Sequence, residues 1–220
     1  MALTLVFDLD GTLAETAPDL IDALNFVLAG DGVAPVPVEA ARSMLGAGGR
    51  ALISRGYAQA GRELTPARLD DLFGAFLDYY NAHIADHSTL FPGVEACLER
   101  CRAQGWRLAV CTNKLEHSSH LLLDKLGVRD HFAFVCGQDT FGVAKPDPRP
   151  LRETVARAGG RIERAVMIGD SITDIRTARA AGMPVVAVDF GYTDIPVTEL
   201  GPDRVISHFD ALDAAVRALT

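Results

Sequence analysis

The 220-residue chain is short of cysteine, of basic charge and of any long apolar run. Its four cysteines (Cys97, Cys101, Cys111 and Cys136) are too few for a disulfide framework, and no zinc-like pairing appears among them. Cys97 and Cys101 stand four apart in a helical pattern, where small buried thiols are expected. Lysine and arginine total 21 against 29 acidic residues, a net charge of −8, and no basic stripe offsets the deficit. A nucleic-acid partner is therefore not expected. No apolar run approaches the roughly 18 residues of a membrane span, so no membrane partner is expected. Met1–Phe7 lacks the basic start of a secretion signal and meets an aspartate at position 8. Together these features lead us to expect a protein of the reducing cytoplasm. The acidic balance still leaves room for an anionic small molecule, because a metal ion inverts the local charge of a site.

What the chain does contain is ordinary globular composition, with 49% hydrophobic and 23% charged residues. At roughly 150 residues per domain its length corresponds to one domain with a substantial insertion. Short apolar runs recur at Leu5–Phe7, Leu108–Cys111, Ala133–Cys136, Ala165–Ile168 and Pro184–Val188, and Val205–Ser207 reads as an edge strand. Continuous apolarity is what a parallel strand covered on both faces requires. Helical patterns at Val94–Gln104, His117–Leu126, Arg149–Ala158 and Ile172–Ala181 lie between the later runs. The alternation predicts an α/β fold, a doubly wound parallel sheet with right-handed crossovers. No second strand-like run follows Phe7 until Leu108, too far for one crossover helix. That interval has helical periodicity of its own: Thr16 and Pro18 open a helix striped by Leu20, Ile21, Leu24, Val27 and Leu28. Further helices are expected around 51–60 and 67–83. Residues 15–88 are therefore expected to form an inserted α-helical cap on a core of residues 1–14 and 89–220, with 88–93 as the returning hinge.

Ligands of open α/β sheets bind beyond the carboxyl ends of the strands. Asp8-Leu9-Asp10-Gly11-Thr12 follows the first run and Thr112-Asn113-Lys114 the second. Lys145-Pro146 lies beyond the third, and Gly169-Asp170-Ser171-Ile172-Thr173-Asp174 follows the fourth. Taken singly, each has a bland reading as a turn, a helix cap or a surface charge. Their placement on one end of one inferred sheet is the stronger signal. Carboxylates gathered there repel and raise one another's pKa unless a cation joins them. An all-oxygen set of few ligands suits Mg²⁺.

Phe7-Asp8-Leu9-Asp10-Gly11-Thr12-Leu13, Thr112-Asn113, Lys145-Pro146 and Gly169-Asp170-x-x-x-Asp174 resemble the four ordered motifs of the haloacid dehalogenase superfamily. The helical insertion resembles that superfamily's type 1 cap. Ala17-Pro18-Asp19-Leu20, Leu45–Arg50, Val188–Tyr192 and Glu199–Ile206 are similar to phosphoglycolate phosphatases. The resemblance implies that Asp8 is a nucleophile attacking phosphorus, and that Asp10 first protonates the leaving alkoxide and then deprotonates water. It implies that Thr112, Asn113 and Lys145 bind the phosphoryl group. Mg²⁺ would be held by Asp8, the Asp10 carbonyl and Asp170, with Asp174 in the metal site chiefly to orient a metal-bound water or Lys145. The dehalogenase branch lacks the second aspartate, and a leaving alkoxide needs an acid where a halide does not. The implied substrate is a small phosphomonoester, foremost 2-phosphoglycolate, with a sugar phosphate or a pyrophosphate as the alternative. A phosphomutase and a non-catalytic phosphate-binding module stand further back.

Arg50, in the Gly-rich cap loop, is expected to reach a substrate carboxylate, since guanidinium suits that group bidentately. Glu15 stands at the core-to-cap hinge with no role assigned, as do His117 and His120 beyond Asn113. His83 and His87 lack a third ligand and read as solvated, and Trp106 as packing. The chain is consistent with a monomer or a homodimer.

Overall fold

The structure is a computed structural model describing residues 2–220. The chain enters through β1 (Thr4–Phe7), turns at Gly11 and forms the short β2 (Ala14–Glu15). Then come α1 (Ala17–Gly30), α2 (Val38–Ala41), α3 (Gly49–Gln59) and α4 (Pro66–Ala82), after which β3 (Thr89–Leu90) returns. The remainder alternates: α5 (Val94–Ala103), β4 (Arg107–Cys111), α6 (Glu116–Lys125), β5 (Phe134–Cys136), α7 (Pro148–Arg157) and β6 (Ala165–Gly169). It closes with α8 (Ile172–Ala181), β7 (Val185–Val188), β8 (Arg204–Ile206) and α9 (Leu212–Arg217).

Six strands form one parallel sheet in the order β5-β4-β1-β6-β7-β8. β1 is central, and the chain leaves it first toward β4 and later returns beside it as β6. That reversal opens the crevice where α/β sheets bind ligands. Successive residues of β1 enter different layers: Leu5 and Phe7 pack in one apolar cluster, Val6 in the other. Leu151, Val155, Ile175 and Ala178 of α7 and α8 cover the second face. This is why the strands read as continuous apolar runs. Burial of each such side chain contributes about 1.5–3 kcal/mol, so the two-layer core fixes the strand ends firmly.

β2 and β3 pair antiparallel, Glu15 opposite Thr89, and the four helices α1–α4 lie between them in sequence. These helices share buried Leu24, Leu52, Tyr57, Phe73 and Phe76. Asp19, buried in the first turn of α1, accepts from the Ser88 N–H (2.8 Å), the Ser88 hydroxyl (2.6 Å) and the His87 N–H (3.0 Å). The first cap helix thereby grips the returning chain. Thr16 occupies the N-cap position of α1, but its hydroxyl does not cap the helix. It donates instead to Asp10 Oδ1 (2.7 Å), and the Tyr192 hydroxyl accepts from the N–H groups of Thr16 (2.6 Å) and Ala17 (2.9 Å). A carboxylate next to the helix start has outcompeted the local cap. Among the described residues, no helix is long and apolar enough to cross a membrane.

Candidate active site

Asp8 leaves the end of β1 with its N–H bonded to the Ile168 carbonyl of β6 (2.9 Å), so the central pairing sets its position. Lys145, whose side chain is 1% exposed, lies 2.9 Å from Asp8 Oδ1 and donates to Asp174 Oδ1 at 2.6 Å. The Asp8 contact is ionic, with no donor aligned on that oxygen. Burial alone would depress the ammonium's pKa; Asp174 and Asp8 outweigh it and hold Lys145 above the ordinary lysine range. Asn113 Nδ2 donates to the Lys145 carbonyl (3.1 Å), bracing the loop that delivers the lysine. Thr112, 3% exposed, keeps its hydroxyl at the end of β4, where it accepts from the Lys114 N–H (3.2 Å).

On the β6 side, Asp174 completes the capping box of α8. Its Oδ2 accepts from the Ser171 hydroxyl (2.7 Å) and the Ser171 N–H (3.1 Å). With Oδ1 on Lys145, both its oxygens are engaged by protein donors. Asp170 accepts from the Thr12 hydroxyl (2.9 Å) and the Tyr192 N–H (2.7 Å). The backbone folds so closely over Asp170 that a Cβ on Gly191 would lie 2.4 Å from its Oδ2, and one on Gly11 (φ +82°) 2.5 Å. Only glycine permits that wrap.

Asp8, Asp170 and Asp174 are buried with carboxylate oxygens within 4.8 Å of one another. Burial, reinforced by Asp174 and Asp10 and opposed by Lys145, pushes Asp8 up to about 6. Burial, then Asp174 and Asp8, push Asp170 up to about 8. One lysine among three buried carboxylates leaves excess negative charge, which a small hard cation with oxygen ligands relieves. The donor set fits Mg²⁺.

Toward the cap the arrangement differs from the sequence expectation. Asp10 is paired with a lysine outside the four motifs: it accepts from Lys114 Nζ at 2.8 and 3.0 Å and from Thr16. Burial opposes the charge on Lys114, and Asp10 with Tyr80 more than restores it, holding the ammonium above its usual range. Lys114 Nζ stands 4.6 Å from the ring centre of Tyr80 on α4. Lys114 followed Thr112-Asn113 in plain view, but one lysine in one sequence resembles any surface lysine; Tyr80 gave no signal at all. Glu15 accepts from the Tyr192 hydroxyl (2.6 Å) and pairs with Arg42 (2.6 Å), linking hinge, core and cap.

Arg50 is not brought to the site. Its guanidinium, 48% exposed, pairs with Asp70 and lies 4.4 Å from the ring centre of Phe73. On the first turn of α3 its side chain points along the cap surface, and the glycines beside it face the cleft instead. His120 accepts from Arg129 (2.7 Å), His117 is exposed, and His83 meets Asp86, so none reaches the carboxylates. The cleft between the α1–α4 helices and the sheet has Asp8 and Asp10 on one wall and Leu45, Leu52, Phe73 and Phe76 on the other.

A profile of haloacid dehalogenase-like hydrolases matches residues 5–188, which include all four motif segments. The chain belongs to the haloacid dehalogenase-like hydrolases. Within that family it is 52% identical to a phosphoglycolate phosphatase of Mesorhizobium japonicum, over 94% of this chain and 92% of that one. It is 48% identical to a phosphoglycolate phosphatase of Caulobacter vibrioides, over 99% and 92%. Among solved structures, a predicted phosphoglycolate phosphatase from Haemophilus somnus superposes with a TM-score of 0.90 at 30% identity, covering 97% of each chain. CbbY from Rhodobacter sphaeroides, in complex with phosphate, superposes with a TM-score of 0.83 at 28% identity, covering 99% of this chain and all of that one. These likenesses extend over the α1–α4 insertion as well as the sheet, so this hydrolase shares the whole architecture of its relatives.

Proposed function

We propose that this phosphatase is a Mg²⁺-dependent phosphomonoester hydrolase that works through an aspartyl-phosphate on Asp8, and that its substrate is 2-phosphoglycolate. The observation that carries the reading is the buried Asp8–Lys145 contact at the end of the central strand, with Asp10 two residues on beneath the cap. The names and extent of the relatives support the substrate.

Asp8, Asp170 and the Asp10 carbonyl would hold Mg²⁺, which when bound neutralises the phosphoryl oxygens and the acidic cluster. Lys145 and the Thr112 hydroxyl steady the phosphoryl group, whose charge spreads over its oxygens as it transfers. A carboxylate oxygen of Asp8 attacks phosphorus, the P–O bond to the alkoxide breaks, and Asp10 delivers a proton to that alkoxide. Asp10 then takes a proton from the water that attacks the aspartyl-phosphate, and inorganic phosphate leaves with Asp8 restored. Lys114 and Thr16, which donate to the Asp10 carboxylate, would hold it in place for both steps.

Phosphate release from a panel of small phosphomonoesters, with and without Mg²⁺, tests the reading. Fastest release from 2-phosphoglycolate, dependent on Mg²⁺ and lost in Asp8→Asn, is expected; a preference for sugar phosphates would move the substrate assignment to that alternative.

A further inference from the structure

If the substrate carries a carboxylate, something in the cleft must neutralise it, and Arg50 faces elsewhere. Among the described residues lining the cleft, Lys114 is the only basic one. Its side chain is 6% exposed and donates to both Asp10 oxygens, with Tyr80 beside it. An ammonium has three N–H donors, so at least one is free. Tyr80 lines the same cleft at 1% exposure, and among the described residues its phenol oxygen has no hydrogen-bond partner. A buried hydroxyl left unpaired is costly, so an absent partner is implied.

The third component is the start of α3. Its N-cap is Gly48 (φ +86°), which has no side chain to accept from the first turn, and Gly48 and Gly49 both line the cleft. The leading N–H groups of a helix have no intrahelical acceptor and favour an anion. A Cβ on Gly48 would lie 3.1 Å from the Asn113 carbonyl, so the helix start is pressed against the loop that bears Lys114. Elsewhere the cap wall is apolar, from Leu45, Leu52, Phe73 and Phe76.

Resting on the hydrolase reading above, we propose that Lys114 Nζ, the Tyr80 hydroxyl and the first N–H groups of α3 form a receptor for a carboxylate on the leaving group of the substrate. The core supplies the cation; the cap supplies the hydroxyl and the helix start.

The test compares 2-phosphoglycolate with ethyl phosphate, which has the same chain length and no carboxylate, in the full-length enzyme with Mg²⁺. The quantity read is the ratio of their kcat/KM values in wild type, Lys114→Met and Tyr80→Phe. Charge-assisted hydrogen bonds to a bound anion are each worth about tenfold or more in such a ratio. The wild-type ratio is expected to favour 2-phosphoglycolate, to fall about tenfold or more in Lys114→Met, and to fall severalfold in Tyr80→Phe through KM for 2-phosphoglycolate. Equal losses on both substrates would mean that Lys114 only holds Asp10 and Tyr80 only packs, and would overturn the receptor. So would a wild type indifferent to the carboxylate. A wild type that hydrolyses neither ester would instead contradict the hydrolase reading, and the receptor is then judged by calorimetry. Asp8→Asn should bind 2-phosphoglycolate more tightly than ethyl phosphate, and Asp8→Asn/Lys114→Met should lose that difference; its persistence overturns the proposal.

Discussion

The two walls of the cleft are built on different plans. On the sheet side, Asp8 and Asp170 follow strand ends fixed by two apolar layers, Lys145 comes from the loop before α7 and Asp174 from the first turn of α8, and each is buried against two or more of the others. Along the seam between the sheet and the α1–α4 helices, Asp10, Lys114, Tyr80, Glu15 and Tyr192 come from β2, three loops and a helix, and they meet only through tertiary contact. Most residues proposed for the chemistry lie on the first wall and those proposed for recognition on the second, with Asp10 serving the proposed chemistry from the second. Substitutions should therefore separate into those that abolish turnover and those that alter closure or choice.

The largest effect is expected at Lys145. Lys145→Met leaves Asp8 and Asp174 facing each other without their counter-charge, and kcat should fall by about 10²–10³ through lost electrostatic stabilisation. The same substitution should lower the thermal midpoint, because one partner of a buried ionic cluster is removed. Steady-state kinetics and a melting curve check both; a variant with near-normal kcat would break the division between the walls.

A second prediction concerns pH. Asp8 and Asp170 titrate near 3.8 when unfolded but at about 6 and about 8 when folded. Raised carboxyl pKa values mean that the folded state binds more protons in this window. Their contribution to stability is therefore fully present below about pH 4 and is lost as pH rises through 6 and then 8. Mg²⁺ should offset that loss where the carboxyls are ionised. At ten times its Kd, a ligand adds about 1.4 kcal/mol, or about 3–5 °C in a chain of this size. The midpoint should rise by this amount with Mg²⁺ at pH 8 and hardly move at pH 5; equal rises would contradict a carboxylate site.

On the assembled wall, Tyr192→Phe deletes the hydroxyl that accepts from two N–H groups at the start of α1 and donates to Glu15. Urea unfolding should show a loss of about 1–3 kcal/mol, with KM changing more than kcat because Asp8 and Lys145 are untouched. Arg50→Ala should do least. Its pair with Asp70 is exposed on both sides (48% and 63%), so stability should move by less than about 1 kcal/mol, and kcat/KM for 2-phosphoglycolate by less than about twofold.

The same division governs what was legible in the sequence. The sheet declared itself because each buried strand needs apolar residues on both faces, and its site residues follow those runs directly: Asp8 after Phe7, Thr112 after Cys111, Asp170 after Gly169. Helix bounds came within a residue or two, since their stripes are local. The assembled wall is a product of tertiary approach. Lys114 becomes distinctive only when Asp10 and Tyr80 close around it, and Tyr192 only when a residue 176 positions away offers an N–H. Thr16 shows the converse: a sensible local reading, as helix cap, yields to a stronger neighbour in Asp10.

The central claim is that Asp8 accepts the phosphoryl group. Wild type mixed with Mg²⁺ and 2-phosphoglycolate, quenched in acid within the first turnovers and analysed by peptide mass spectrometry, tests it most directly. A phosphoryl adduct is predicted on the peptide carrying Asp8, absent from Asp8→Asn, which should also release no phosphate. Turnover without that adduct, or sustained phosphate release by Asp8→Asn, would contradict the account.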